Sequence, residues 1–285
     1  MNRPGHAAGA YVFGGSAAEI TRLQGLGELL QHSTRQALRE AGIAEGMNVL
    51  DIGCGLGSVT FLAAELVGRA GSVTGADRDP AMLVTARARA LSSGQSNVSF
   101  IRADLAELGA EGWLEAGFDA IVGRLILLHL DDPVAVLRRL VPHLHPGGVV
   151  VFQEPDLTRM GASFPPIPVL EQLCEWVRDA HRALGIDCQF GLRLQQVFED
   201  AGLPAPRLKC EAFIGSGADW GWYEQMLHAA RNAMPVVLSN SITTAEQAGL
   251  NTLAERVLEA VASQRSVTRA IDLVSAWTRT APAQQ

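Results

Sequence analysis

Asp51, Asp77 and Asp104 are the acids best placed for chemistry, because each stands where a short apolar run stops. The runs are Asn48-Val-Leu-Asp51, Ser72-Val-Thr-Gly-Ala-Asp77 and Asn97-Val-Ser-Phe-Ile-Arg-Ala-Asp104. Apolar runs of this length, bounded by turn residues, read as buried strands. Acids at matching strand ends place their carboxylates on one edge of a parallel sheet, and such sheets take ligands at that carboxyl edge. Carboxylates accept hydrogen bonds and favour positive charge, so a ligand with hydroxyl or amino donors and a cationic group suits them.

Directly after Asp51 comes Ile-Gly53-Cys-Gly55-Leu-Gly57, and a helical pattern starts at Ser58. Glycine permits positive φ and lets a ligand approach the backbone closely. The dinucleotide fingerprint G-x-G-x-x-G places its third glycine where this chain has Ser58. Asp51 would also set a negative charge beside a bound pyrophosphate. An ordinary strand-to-helix turn is the other reading of the glycines.

The stretch Asn48–Gly57 resembles motif I of the class I S-adenosylmethionine (SAM)-dependent methyltransferases. The resemblance runs over about residues 45–155 and fades after Pro155. The Leu144-His-Pro-Gly-Gly148 turn and the Leu-Leu-His-Leu run ending at Leu130 are similar to the small-molecule branch, which includes ubiquinone, menaquinone and natural-product methyltransferases. The resemblance implies an α/β fold: a three-layer, Rossmann-like, seven-stranded sheet with the last strand antiparallel. It implies SAM as cofactor, with Asp51, Gly53, Gly55 and Gly57 at the turn and Asp77 on the ribose hydroxyls. Asp104, followed by Leu105, would meet the adenine amine. Arg78, Arg124 and Tyr11 join the cofactor-binding set, Tyr11 closing over the methionine end.

Methyl transfer is an in-line displacement in which the protein mainly positions and desolvates. A base is needed only when the nucleophile arrives protonated. His129, beyond the fourth strand, is the first catalytic candidate and Glu154, after the fifth, the second. Asp156 shares the edge with Glu154, while His32 and His181 sit on helices flanking the site. Trp220, Trp222, Tyr223 and Met226 form an aromatic and sulfur group suited to an apolar pocket or to plain core. The Asn/Asp-Pro-Pro-aromatic motif of amino-methyltransferases is absent after the fourth strand, where the chain reads Gly123-Arg-Leu-Ile-Leu127. No metal-ligand set stands out, and the adjacent Asp131 and Asp132 before Pro133 read as helix caps.

Composition narrows the partners. The 285 residues are 48% apolar and 19% charged, enough for a sizeable core. The net charge of −7, with lysine nearly absent and no basic run, argues against nucleic acid. Cys54, Cys174, Cys188 and Cys210 make no C-x-x-C pair and read as free buried thiols. No signal-like leader or membrane-length apolar run is evident, so a cytoplasmic protein acting on a small molecule, with no membrane partner, is expected.

The chain divides into a helical N-terminal lid (1–44), a SAM-binding core (45–155) and cap helices with a sixth strand (156–213). A helical insertion (214–265) and a final strand with its tail (266–285) follow. Helices are expected at Glu19–Ala41, Ser58–Gly68, Pro80–Ser92, Ala110–Leu114, Pro133–Leu144, Val169–Leu184 and Leu192–Ala201. Trp220–Leu238 and Thr244–Ser263 also look helical, and a homodimer could form through them. Arg207–Phe213 and Ala270–Trp277 supply strands six and seven. The expected activity is methyl transfer to a small, apolar or aromatic metabolite. An NAD(P)-dependent oxidoreductase and a non-catalytic SAM-fold interaction protein remain as alternatives.

Overall fold

The computed structural model describes residues 17–107, 114–115 and 117–282. A long first helix, α1 (Ala17–Ala41), precedes an alternating core: β1 (Asn48–Ile52), α2 (Ser58–Val67), β2 (Ser72–Asp77), α3 (Pro80–Ser92), β3 (Val98–Arg102) and β4 (Phe118–Arg124). After a 3-10 turn at Leu127–His129 come α4 (Pro133–Leu140), β5 (Leu144–Asp156) and a short β6 (Ser163–Phe164). Then follow α5 (Pro168–Ala183), α6 (Leu194–Asp200), β7 (Arg207–Ser216), α7 (Trp222–Ser239), α8 (Ala245–Ala248), α9 (Leu253–Ser263) and β8 (Val267–Arg279).

β3, β2, β1, β4 and β5 pair in parallel in that order. β8 runs antiparallel between β5 and β7, which gives the seven-stranded sheet with its last strand reversed. Two-residue β6 adds an eighth, minor strand on β8. It lies between β5 and α5.

Strand alternation sorts the side chains. Leu50, Ile52, Ile121, Val150 and Phe152 meet Leu137 of α4 and Phe198 of α6 on one face. Val49, Val122 and Val151 meet Leu38 of α1 and Ala63 of α2 on the other. Period two makes neighbouring residues face opposite layers. Each fully buried Leu, Ile or Val contributes about 1.5–3 kcal/mol, so both layers are pinned to the sheet. A third cluster joins α5, α7 and α9 through Leu170, Trp176, Val177, Trp222, Met226 and Val257. It forms a helical roof over the carboxyl edge, and nearly half of its buried residues lie between β7 and β8.

Several boundaries differ from the sequence reading. The helix expected to reach Leu144 ends at Leu140, where Pro142 enters a 3-10 turn and cannot donate a helical hydrogen bond. Thr244–Ser263 splits in two: Thr244 and Gln247 form a capping box for α8, and Gly249 stops it at φ 59°. β5 and β8 outrun their expected ends because they pair along eight positions, Val149–Asp156 with Asp272–Arg279. Cys210 is exposed, not buried, because it lies on edge strand β7; the other three cysteines are buried. Apart from Leu114, the helix expected at Ala110–Leu114 lies outside the described residues. No described helix is long and apolar enough to cross a membrane.

Candidate active site

The glycine turn after β1 uses positive φ at all three glycines: 63° at Gly53, 51° at Gly55 and 79° at Gly57. They serve different ends. A Cβ on Gly53 would strike the Ile126 side chain at 2.5 Å, and one on Gly57 would press on Phe61 and Phe100 at 3.1 Å. A Cβ on Gly55 would meet nothing within 4 Å, so this residue opens onto free space. Gly53 and Gly55 line a cavity of about 290 Å³; Gly57 caps α2 below it.

Asp77 ends β2 at the cavity wall. Its carboxylate accepts from the backbone nitrogens of Gly55 (2.8 Å) and Asp79 (2.9 Å), which locks the two ligand loops together. Burial raises its pKa against these hydrogen bonds. Arg78, Asp104 and Leu105 line the same end, and Asp104 Oδ1 accepts from Ala106 N at 2.9 Å. Asp79 caps α3 as its spacing before Pro80 suggests, accepting from Ala81 N, and Asp132 caps α4 through Ala135 N.

Asp51 lies beneath this wall rather than on it. It shares the strand face of Val49, so its carboxylate turns to α2, where Oδ2 accepts from Thr60 Oγ1 at 2.6 Å. Oδ1 is buried without a partner among the described residues. Burial pushes its pKa up to about 7, opposed by the Thr60 hydrogen bond and by Arg124. Arg124, on the same face of β4, donates to Thr34 Oγ1 at 2.7 Å and reaches the cavity. Desolvation lowers its pKa to about 10, with the Asp51 charge opposing.

His129 stands on the wall of the same cavity, as do Leu125, Leu157, Met160, Trp222 and Met226. The residue is exposed at the cavity wall, and the protein around its ring desolvates it. Enclosure, then the charges of His181, Arg78 and Arg22, lower its pKa to about 4.

Glu154 departs from its expected role. It shares the face of Val150 and Phe152 and turns toward α4, away from the cavity, while the next residue, Pro155, lines it. Its Oε1 accepts from the backbone nitrogens of Ile126 (3.0 Å) and Leu127 (2.7 Å), and burial pushes its pKa to about 8. Asp156 is likewise engaged locally, by Thr158 N at 2.8 Å and Thr158 Oγ1 at 2.6 Å. His32 is exposed and off the wall, whereas His181 lines it. Trp222 and Met226 line the cavity, but Tyr223 is core, its hydroxyl donating to Thr268 Oγ1 at 2.9 Å. Tyr11 lies outside the described residues.

Arg22 and Gln225 also line the wall and are not apparent from sequence. Arg22 falls on the apolar face of α1 near Leu23 and Leu26, and a charge inside an apolar stripe is the signal that could have found it. Among the described residues no group of three or more His, Cys, Asp or Glu could hold a metal.

The residues fit SAM. The open space over Gly55 admits a ligand against the backbone, and Asp77 and Asp104 offer acceptors beside it. The unpartnered Asp51 Oδ1 lies below as a further acceptor oxygen, which suits a donor or a cation better than a pyrophosphate. When bound, the cofactor supplies an electrophilic methyl group on a cationic sulfur.

Comparison with known proteins agrees with this geometry. A family described as "Methyltransferase domain" matches residues 43–227. Aklanonic acid methyltransferase DauC of Streptomyces sp. (strain C5) is 40% identical over 123 residues, covering 43% of this chain and 54% of the relative. Demethylmenaquinone methyltransferase of Staphylococcus aureus (strain MRSA252) is 29% identical over 164 residues, covering 57% and 63%. The chain thus spans only about half to three-fifths of these relatives' length. A putative methyltransferase from Bacillus halodurans C-125 has the same fold, with TM-score 0.58, 14% identity and coverage of 88% of this chain and 99% of that one. The open glycine turn, the acids at three strand ends and the match over residues 43–227 agree, and the chain belongs to the methyltransferase-domain family, as a class I SAM-dependent member.

Proposed function

We propose that the protein transfers a methyl group from SAM to a small molecule with an apolar or aromatic body. One observation carries this reading: a single cavity joins the Gly55–Asp77 cofactor wall to an apolar chamber lined by Met160, Trp222 and Met226. A cofactor held by Gly53, Gly55, Asp77, Arg78, Asp104 and Leu105 would leave the chamber for the acceptor. Asp51 and Arg124 then act from beneath, Arg124 fixing α1 over the site through Thr34. His129 faces the acceptor, and Glu154 acts as a positioning residue that holds the turn carrying His129.

The relatives' names include aklanonic acid, demethylmenaquinone and arsenite methyltransferases. A similar cofactor portion therefore serves unlike acceptors, and here the apolar chamber favours an organic one. The net charge of −7 supports a small molecule rather than nucleic acid. The insertion packs part of its apolar face on α5 and leaves Leu250 and Leu258 exposed, where a homodimer would pair.

Thermal unfolding tests the cofactor half of this reading. S-adenosylhomocysteine should raise the midpoint through linkage, and NAD or NADP should not. Stabilisation by a nicotinamide cofactor alone would overturn it. Transfer of labelled methyl from SAM to one member of an aromatic panel, read by mass spectrometry, tests the acceptor half.

A further inference from the structure

Gln225, on α7, lines the cavity with a side-chain amide that no described residue bonds at either end. Its Oε1 is sealed from solvent without a hydrogen-bond partner. Oxygens of Asp51, Gln153 and Glu154 are sealed in the same way. Each of those groups is nevertheless bonded through its other end, to Thr60, Ser275 and Leu127 respectively. Gln225 differs, because its Nε2 also makes no hydrogen bond to a described residue.

The packing is built round this amide all the same. Gly25 lies in the interior of α1, where glycine weakens a helix relative to alanine. A Cβ at Gly25 would stand 2.1 Å from Gln225 Nε2. The glycine thus lets α1 and α7 close on the amide without displacing it. Trp222, Met226 and Ala229 share the lining face of α7, so Gln225 is a polar residue set in an apolar row.

An unpaired buried amide destabilises the free protein, and a ligand that bonds it relieves that cost. A site of this kind also rejects ligands that lack the matching group. In the proposed reading the donors of the cofactor meet Asp77 and Asp104, which stand at strand ends of the sheet. Gln225 comes instead from the roof, beside Trp222 and Met226 of the apolar chamber.

Resting on the methyl-transfer reading, we infer that Gln225 is a specificity-determining residue for the acceptor molecule. Its amide hydrogen-bonds a hydroxyl or carbonyl oxygen carried on the acceptor's apolar body. The N–H donates to that oxygen, and a half-turn of the terminal amide offers Oε1 to a hydroxyl hydrogen instead. An oxygenated ring system is admitted, and the bare hydrocarbon of the same shape is refused.

The test uses the full chain saturated with S-adenosylhomocysteine, with 2-naphthol and naphthalene as paired probes in equilibrium dialysis. Wild type should hold 2-naphthol roughly tenfold more tightly than naphthalene, as one hydrogen bond to a buried neutral group allows. Gln225→Met keeps the length of the side chain and should bring that ratio to about one. S-adenosylhomocysteine affinity should stay within about twofold, and the variant should unfold no lower than wild type, since an unpaired polar group is gone. Gly25→Ala is the second variant: it favours the helix, and its methyl displaces the amide, so the ratio should fall there too. Failure of wild type to bind S-adenosylhomocysteine would overturn the methyl-transfer reading itself. With that product bound, a wild type that does not favour 2-naphthol overturns the present inference alone, as does a preference that survives either variant. A lower unfolding midpoint in Gln225→Met would reveal a structural amide. A roughly tenfold loss of S-adenosylhomocysteine affinity would reveal one that serves the cofactor, and either result also overturns the inference.

Discussion

Glu154 Oε1 lies 2.7 Å from the backbone nitrogen of Leu127, and this bond ties β5 to the turn after β4. The same oxygen holds Ile126 N, and the Ile126 side chain fills the space over Gly53. Glu154→Ala leaves two buried amides unpaired, at about 1–3 kcal/mol each. A loss of about 2–5 kcal/mol is expected in urea denaturation. Glu154→Gln keeps an acceptor oxygen and should cost about 1 kcal/mol or less.

Stability should also depend on pH through this group. Its folded pKa of about 8 lies above the ordinary value of 4.5, so between these values the unfolded chain has lost the proton and the native state keeps it. Stability therefore falls as pH rises from about 4.5 to about 8, then levels off. Glu154→Gln removes the share due to Glu154 and leaves that of Asp51, whose pKa is also raised, to about 7, so the slope should become shallower. Denaturation midpoints at pH 5 and pH 8 for both proteins check the sign, and an equal slope in the variant would refute it.

Asp77 joins the glycine turn to the loop before α3, and it is the proposed ribose acceptor. Asp77→Ala should weaken S-adenosylhomocysteine binding by on the order of 2–4 kcal/mol, from loss of charge-assisted hydrogen bonds and looser turns. Calorimetry on the folded variant measures this. Unchanged affinity would remove Asp77 from the site.

Gly55→Val should separate binding from folding. The position has φ 51° and no atom within 4 Å of an added Cβ, so the variant meets backbone strain but no clash inside the protein. The strain costs about 1–2 kcal/mol. The side chain would occupy the space over the turn, so thermal stabilisation by S-adenosylhomocysteine should disappear while the fold survives.

His129→Ala should lower turnover by roughly tenfold or more and leave cofactor affinity intact. An unperturbed imidazole would place a limb of the pH–rate profile near neutrality. Desolvation moves that limb down, toward about pH 4. Loss of a neutral limb in this variant would show instead that His129 works as a solvated base.

The glycine turn and the helix caps were legible because they depend on local rules. Asp79 and Asp132 act within three residues of their partners, and only Asp77 reaches further, to Gly55 on the neighbouring turn. What was not legible depends on strand parity and on distant packing. Asp51 and Glu154 stand at the correct end of their strands, but alternation turns one toward α2 and the other toward α4. Reading parity from the buried neighbours Val49 and Val150 would have shown this. Arg22 and Gln225 join His181, which was expected to flank the site, only because residues about 40 to 200 positions apart fold into one roof, and no local pattern reports that.

The roof has its own apolar cluster, separate from the two that clamp the sheet. Much of it enters the chain as one excursion between β7 and β8, whose ends are hydrogen-bonded neighbours at Ser216 and Val267. Such an excursion can be exchanged as a cassette without breaking a strand pairing. Acceptor choice can therefore change while the cofactor cradle stays as it is.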